Sequence, residues 1–460
     1  MHSPLAWRQV GCPANSPSPR ISTGLSSYFR RPNTDMQTHR FTSEDCIVIV
    51  GTGQAGHQAA VSLREQSFAG RVVLIGDEPD LPYQRPPLSK GYLAGHTPAE
   101  ALPLRPEEFY SRHSIELLTG DSVTAIIREK CRVVLCSGTE IDFAHLILAV
   151  GTEPRSLTVP GGRAQGVFTL KTPADADSIR ERLQGPSQNV VIIGGGFIGM
   201  EVAASAAASG HNTAVVEASD RIMQRAVDPA VSSCVAREHR SHGVTLINGV
   251  AVTALTMRNG AVSGVELDTG AVLRADTVVA GIGVEPNIAL AQASNLATFN
   301  GIEVDGQLLT DDPHISAIGD CANFPSVHAG RRVRLESVQN AVDHARHVAR
   351  RLMHDSGPYA SVPWFWTHQF NLNIQIAGLA SADDSTIVHG DSESSSFSVL
   401  RFRNDLLTCV ESINRPSDHL AARKILAGPR RPSFSEVLTA DFTLKSYAKA
   451  ATNHTKIIPA

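Results

Sequence analysis

The residues of this chain with the most legible chemistry are two sets of glycines, each closed downstream by an acid. Gly51, Gly53 and Gly56 follow the apolar run Cys46–Val50 and open an apolar-periodic stretch, which leads to a second apolar run ending at Gly76-Asp77-Glu78. Strand, glycine turn and helix in that order suit a pyrophosphate. Gly51 permits the tight turn, Gly53 lets the backbone approach the phosphates, and Gly56 lets the helix lie close to the strand, so that the helix N-terminus faces negative charge. An acid at the tip of the second strand accepts hydrogen bonds from a ribose, and Asp77 stands there. Gly194, Gly196 and Gly199 repeat the pattern in VVIIGGGFIGMEVAASAAASGHNTAVVE, residues 190–217, which closes on Glu217. A carboxylate at that tip repels a 2′-phosphate and favours NAD over NADP, while Arg221 and Arg225 nearby pull the other way. Two dinucleotide units of one plan therefore sit in the same chain.

The elements that must position these loops repeat as well. LDTGAVLRADTVVAGIGVEPN, residues 267–287, echoes LCSGTEIDFAHLILAVGTEPR, residues 135–155, in its order of turn, strand and Gly-x-x-Pro end. Between the first unit and its echo lies PYQRPPLSKGYLAG, residues 82–95, too rich in Pro and Gly for a regular helix. It holds Tyr83, Arg85 and Lys90 in a stiff frame of the kind that binds ligands at the carboxyl ends of parallel strands; an exposed surface lysine is the bland alternative for Lys90. Glu201, one turn into the second helix, is either a solvated helix acid or a buried acid with a paired cation. Asp320 ends the strand in TDDPHISAIGDCANF and is either a helix N-cap or an acid that bonds the polyol chain of a flavin. His344 and His347 share a helical face without further ligand candidates, so no metal site is expected. From Pro363 the pattern changes to alternating strands with Trp364 and Trp366, whose default role is core packing.

At 460 residues the chain needs more than one core. Its 42% hydrophobic and 19% charged residues are those of an ordinary globular protein, and a net charge of -4 supplies no general pull toward nucleic acid or anionic membrane. The apolar run from Val190 to Gly210 is broken by glycines and Glu201, so it reads as strand, turn and helix, not as a membrane span. Seven scattered cysteines argue for a reducing, cytoplasmic setting. Cys131 and Cys136 have the spacing of a redox-active pair but fall in the strand-like CRVVLC, where a buried strand is the preferred reading. Residues 1–43 are rich in Ser, Pro and Arg and read as a disordered extension, a transit peptide or a stretch upstream of a start at Met36.

GTGQAG, GDE, PYQRPPLSK, GGGFIGMEVA, GIGVEPN, AIGDCA, ESVQNA and PWFW, taken in order, closely resemble the FAD-dependent, NADH-oxidising ferredoxin reductases of bacterial haem monooxygenases and aromatic-ring dioxygenases. The likeness runs over roughly residues 45–450. It implies an α/β fold with two Rossmann-like dinucleotide-binding domains and a C-terminal α+β domain. The FAD domain would be discontinuous, 44–154 and 284–360, with the NAD domain 155–283 inserted and the C-terminal domain at 361–455. By matching position, Gly51, Gly53, Ala55, Gly56, Asp77, Lys90, Val123, Asp320 and Val338 would contact FAD, with Lys171 where the family usually has arginine. Gly194, Gly196, Gly199, Glu201, Glu217, Arg225 and Gly283 would serve NAD. Lys90, paired with Glu201, and Trp366 would stand at the reacting centre.

The partner implied is a [2Fe-2S] ferredoxin feeding an oxygenase, with the enzyme a monomer or weak homodimer. The arginines between Arg401 and Arg431 offer a basic face for an acidic ferredoxin, or only scattered solvated charge. No cysteine pair follows the first glycine loop, which separates the chain from disulfide-using reductases. A flavoprotein that reduces a small acceptor directly, or a redox-regulated binding protein like apoptosis-inducing factor, are the rival readings.

Overall fold

Cys46–Val50 forms strand β1, a glycine turn leads into helix α1 (Gln54–Glu65), and the chain returns in β2 (Arg71–Gly76), pairing parallel to β1 from Cys46↔Arg71 to Val50↔Ile75. Strands β3 (Ile115–Thr119) and β4 (His145–Leu148) flank this unit. Ile47, Val48 and Ile49 are wholly enclosed, as expected for parallel strands covered on both faces. The plan recurs in β5 (Asn189–Ile193), α2 (Phe197–Ala208) and β6 (Asn212–Glu217), with parallel register from Asn189↔Asn212 to Ile193↔Val216. Helix α3 (Pro229–Ser241) then leads to β7 (Thr245–Asn248), and β8 (Thr277–Ala280) completes the set. The second sheet runs β7-β6-β5-β8 and ends on Val167–Phe168.

The chain leaves and re-enters the first sheet through a two-stranded ribbon. Thr152–Pro154 and Val284–Pro286, the ends of the two echoed passages, pair antiparallel with Glu153 opposite Glu285. After the return, β9 (Ile315–Ala317) joins the first sheet beside β4, giving the order β9-β4-β1-β2-β3, so this sheet is built from both sides of the intervening unit. Helix α4 (Val338–Met353) packs on α1. The remaining sheet is antiparallel, in the order β10-β11-β14-β13-β12, from β10 (Trp364–Gln369), β11 (Leu372–Gly378), β12 (Ser385–Asp391), β13 (Ser396–Arg403) and β14 (Leu406–Ile413), followed by α5 (Pro416–Ala427).

The computed structural model describes residues 41–354 and 357–455. Residues 1–40, most of the stretch read as an extension, transit peptide or upstream sequence, lie outside the described residues. No described helix is long and apolar enough to cross a membrane, and Val190–Gly210 is strand, turn and helix as expected.

One expectation needs correction. Cys131 and Cys136 do not lie buried in a strand but flank Arg132–Leu135, Cys131 as a left-handed residue after a tight turn and Cys136 exposed, and both thiols are free. The strand is only four residues long, which leaves both sulfurs beyond its ends.

Candidate functional site

The two glycine loops are built alike. Gly51 and Gly194 take φ +111° and +104°, where a side chain would also collide with the carbonyl oxygens of Ala149 and Gly281. A Cβ on Gly56 or Gly199 would strike the carbonyl of the first glycine of its own loop. Gly53 and Gly196 meet nothing within 4 Å on the Cβ side, so each leaves a clear approach to the backbone at the start of α1 or α2. Neither helix has a side-chain cap or an acid in its first turn. Free amide groups and helix polarity therefore point into both clearings, which fits a pyrophosphate at each.

The acids at the strand tips differ. Asp77 is exposed, while its neighbour Glu78 is taken up by the Tyr83 hydroxyl and the Arg85 guanidinium, each at 2.5 Å. Arg85 also donates to the Lys171 carbonyl at 2.7 Å, and the Lys171 ammonium pairs with Glu153. Glu217 is half-buried and accepts from the amides of Gly195 (2.6 Å) and Ser219 (2.8 Å), which holds its carboxylate beside the second loop. Arg221 turns onto the Gln224 carbonyl and Arg225 is exposed. Gly283, with φ +98°, lies at the start of the ribbon beside Arg155. Val123 is half-buried on Val123–Ile127, a strand outside the five-stranded sheets.

Asp320 lies in a tight turn, Gly319–Cys321, and is not a helix cap; α4 is capped by Ser337, next to Val338. The turn abuts the first loop's helix, since a Cβ on Gly319 would lie 2.9 Å from the Ala55 Cβ. Ala55, Asp320 and the start of α4 thus converge. The turn has a prop that the sequence did not suggest. The Gly319 amide donates to His344 Nδ1 at 3.2 Å, which puts the imidazole proton on Nε2. Burial lowers the His344 pKa to about 3, and the ring stands edge-on to Phe324 and Tyr359, with centroids 4.6 Å away in both cases. His344 and His347 belong to no group of three metal-capable side chains among the described residues.

Burial pushes the Asp320 carboxyl up to about 7; Glu336 adds to the rise, and Arg334 and Arg85 oppose it. An acid with a raised folded pKa penalises folding only where it is ionised, so the penalty is absent below its ordinary value and complete above about pH 7. Asp320→Asn is therefore expected to raise the melting temperature of flavin-free protein at about pH 8, with the gain fading toward about pH 4. A gain of equal size at both pH values would show that ionisation of Asp320 is not its source.

Lys90 and Glu201 meet where three parts of the chain converge. Lys90 follows the tight turn Pro86–Ser89, whose Ser89 carbonyl is held by the Ser205 hydroxyl of α2. The Lys90 ammonium lies 2.7 Å from Glu201 Oε2 and its side chain is 24% exposed, against 3% for Glu201 as a residue. Of the two readings open for each residue, the paired and enclosed one holds. Glu201 also receives the hydroxyls of Ser89 and Thr367, both at 2.5 Å. Thr367 comes from β10, whose alternation turns Phe365, Thr367 and Gln369 toward α2 and α3, with Phe365 on Phe197 at 4.4 Å. Trp366 faces the other way, half-buried beside Trp364.

Of the cations between Arg401 and Arg431, read as a basic face or as scattered solvated charge, five are taken up by other side chains, whereas Lys424 is exposed. Arg401 is buried between Glu411 and Asp228, and Arg403 makes two bonds to Asp384. Arg415 pairs with Asp418, Arg430 with Glu436, and Arg423 lies over the Trp364 ring. Strand alternation puts Arg401 and Arg403 on one face of β13, where acids from neighbouring elements neutralise them.

Two uncapped glycine-loop helices, with a lysine-carboxylate pair set between them by a third element, define an oxidoreductase that uses two dinucleotides. The chain belongs to the pyridine nucleotide-disulphide oxidoreductase family, whose model matches residues 45–345, and a reductase C-terminal model matches 364–448. Membership implies FAD and a nicotinamide dinucleotide. The chain is 46% identical to rhodocoxin reductase of Rhodococcus erythropolis over 399 residues, 87% of this chain and 93% of that one. Among solved structures, a ferredoxin reductase from Rhodopseudomonas palustris is 44% identical with a TM-score of 0.85, covering 88% of this chain and all of that one. The covalent putidaredoxin reductase-putidaredoxin complex matches with 37% identity and a TM-score of 0.86, over 89% and 100%. Helix α1 contains no cysteine, so the dithiol of the family's name has no counterpart beside the first loop.

Proposed function

We propose that this chain is an FAD-dependent NADH:ferredoxin oxidoreductase that passes electrons to a [2Fe-2S] ferredoxin serving an oxygenase. The observation that carries this reading is the Lys90-Glu201 pair, built where the loop after the first unit meets α2 of the second and β10 of the C-terminal sheet. Bound FAD would supply two-electron acceptance from a nicotinamide and one-electron delivery to an iron-sulfur centre. The chain supplies position and field. The start of α1 and Gly53 receive the flavin pyrophosphate, Ala55, Asp320 and Val338 close around it, and Asp77 bonds the ribose. Val123 and Lys171 contact the adenine-nucleotide half. The start of α2, with Gly194, Gly196, Gly199 and Gly283, receives the nicotinamide dinucleotide. Glu217, held by two backbone amides, favours NADH over NADPH, with Arg225 on the adjoining surface.

Lys90 keeps a positive charge where negative charge develops, and Glu201 holds it there. Trp366 flanks the same strand position from the other face. In this reading residues 44–154 and 284–360 make the flavin domain, 155–283 the nicotinamide domain and 361–455 the C-terminal domain, because β9 and α4 complete the first unit from across the ribbon. The described cysteines are unpaired, which supports a cytoplasmic setting.

The test is cytochrome c reduction by the purified protein with NADH or NADPH, with and without a [2Fe-2S] ferredoxin. Turnover that needs the ferredoxin and prefers NADH is expected. Fast turnover without it would mark a direct reductase of small acceptors. Slow turnover with dimerisation on adding NADH would mark a redox-regulated binding protein.

A further inference from the structure

A chain of hydrogen bonds runs behind the Lys90-Glu201 pair and ends in the interior. Glu201 Oε1 accepts from the Thr367 hydroxyl at 2.5 Å, and the Thr367 oxygen in turn accepts from Gln369 Nε2 at 3.4 Å. The Gln369 carbonyl oxygen faces His239 Nε2 at 2.9 Å. Because that amide donates toward Thr367, its oxygen is the acceptor, so His239 carries its proton on Nε2. The other ring nitrogen is buried without a partner among the described residues, and burial lowers the His239 pKa to about 4, which keeps the ring neutral. Every donor in the series therefore points the same way, from α3 through β10 to the carboxylate on α2. Thr367 and His239 are wholly enclosed and Gln369 almost so, so water does not compete for these bonds.

We infer that Thr367 is a positioning residue, backed by Gln369 and His239, through which the C-terminal sheet fixes Glu201 and so aims Lys90. This rests on the function proposed above. The Lys90 ammonium lies 2.7 Å from Oε2 of Glu201 and the Ser89 hydroxyl bonds the same oxygen. Thr367 is the one hydroxyl on Oε1 among the described residues, and it comes from an element separate in sequence from both partners. Seating of β10 on α2 and alignment of the Lys90 charge thus become one event.

The experiment compares the flavin-loaded enzyme with Thr367→Val, Thr367→Ser, Lys90→Met and the Thr367→Val/Lys90→Met double variant. A hydroxyl bond to a charged group corresponds to about a tenfold loss in the single-turnover rate of flavin reduction at saturating NADH for Thr367→Val, with half-saturation and flavin content unchanged. Thr367→Ser restores the rate. In the double variant the valine adds no loss beyond Lys90→Met, because both act through one charge.

A second readout needs no turnover. Trace acetylation, followed by mass spectrometry against exposed Lys445 as the internal standard, labels Lys90 several-fold faster in Thr367→Val than in wild type or Thr367→Ser. Additive losses in the double variant, or Lys90 labelling that ignores the valine, would overturn the inference. If wild-type flavin is not reduced by NADH at all, the proposed function fails instead, and the labelling result still decides the role of Thr367.

Discussion

Lys90→Met is expected to slow flavin reduction by NADH about a hundredfold, with little change in the NADH concentration that half-saturates the rate. The effect is electrostatic. The ammonium is three-quarters enclosed and stands 2.7 Å from a carboxylate that cannot move away, so its field is held in place before any reaction. A preorganised charge of this kind is worth about 2.7 kcal/mol or more when charge develops beside it, and methionine keeps the stem while removing that contribution. The fold should survive. Glu201 retains the hydroxyls of Ser89 and Thr367, and the Lys90 site is open enough for water to enter, so the stability cost stays below the roughly 3–5 kcal/mol of breaking a fully buried pair. Stopped-flow absorbance of the flavin checks the rate, and thermal melting checks the fold. Unchanged reduction kinetics in a folded variant would remove Lys90 from the chemistry.

The largest effect on stability is expected at Arg401. Its guanidinium lies 3.2 Å from Glu411 and 3.6 Å from Asp228, and Glu411 Oε2 also accepts the Asp228 backbone amide at 2.7 Å. Asp228 caps α3 through the Ala230 amide, so this cluster ties the second dinucleotide unit to β13 and β14 of the C-terminal sheet. Arg401→Met leaves two enclosed acids without a cation and should cost about 3–5 kcal/mol in urea unfolding.

The pH dependence has a defined sign. Burial pushes Glu411 up to about 7; the Asp228 backbone amide and the Arg401 guanidinium oppose the rise, and the Asp228 carboxylate adds to it. A carboxyl whose folded pKa is raised weakens the fold as pH climbs from its ordinary value through about 7, and loss of Arg401 removes the main cation that limits this. The deficit of Arg401→Met should therefore be larger at about pH 8 than at about pH 6. Adding Glu411→Gln should recover much of it, because a neutral pair costs less to bury than a lone charge. A deficit that ignores both pH and the second substitution would point to lost packing rather than charge.

The two sites join in the architecture. The Arg401 cluster holds the antiparallel sheet on α3, the sheet brings β10 to α2, and β10 presents Thr367 to the acid that holds Lys90. Stability in one place is positioning in another. Measuring flavin reduction in Arg401→Met at a temperature where it remains folded would show how far the effect travels.

The two dinucleotide units were legible from residue order alone, because their signal is local and steric. An apolar run, a glycine that must take positive φ at Gly51 or Gly194, and a glycine that must touch it five residues later lie within one short stretch of chain, so no distant element is needed to interpret them. That the first unit is completed late in the chain was implied only by the family resemblance; the echoed passages marked the two segments whose ends pair in the ribbon. Tertiary structure decided what charged and hydroxyl side chains do. Composition between Arg401 and Arg431 reads as basic, yet β13 turns two of those arginines toward acids on other elements, and whether a charge is solvated depends on what faces it. Thr367 and His344 show the same limit from the other side: neither lies in a recognisable pattern, and each takes its role only because packing brings it to Glu201 or to the Gly319 amide. Glu201 left two readings open for the same reason. Its helix placed it on an apolar face, and only the approach of Lys90, Ser89 and Thr367, from segments more than a hundred residues away, decided that it is enclosed and paired.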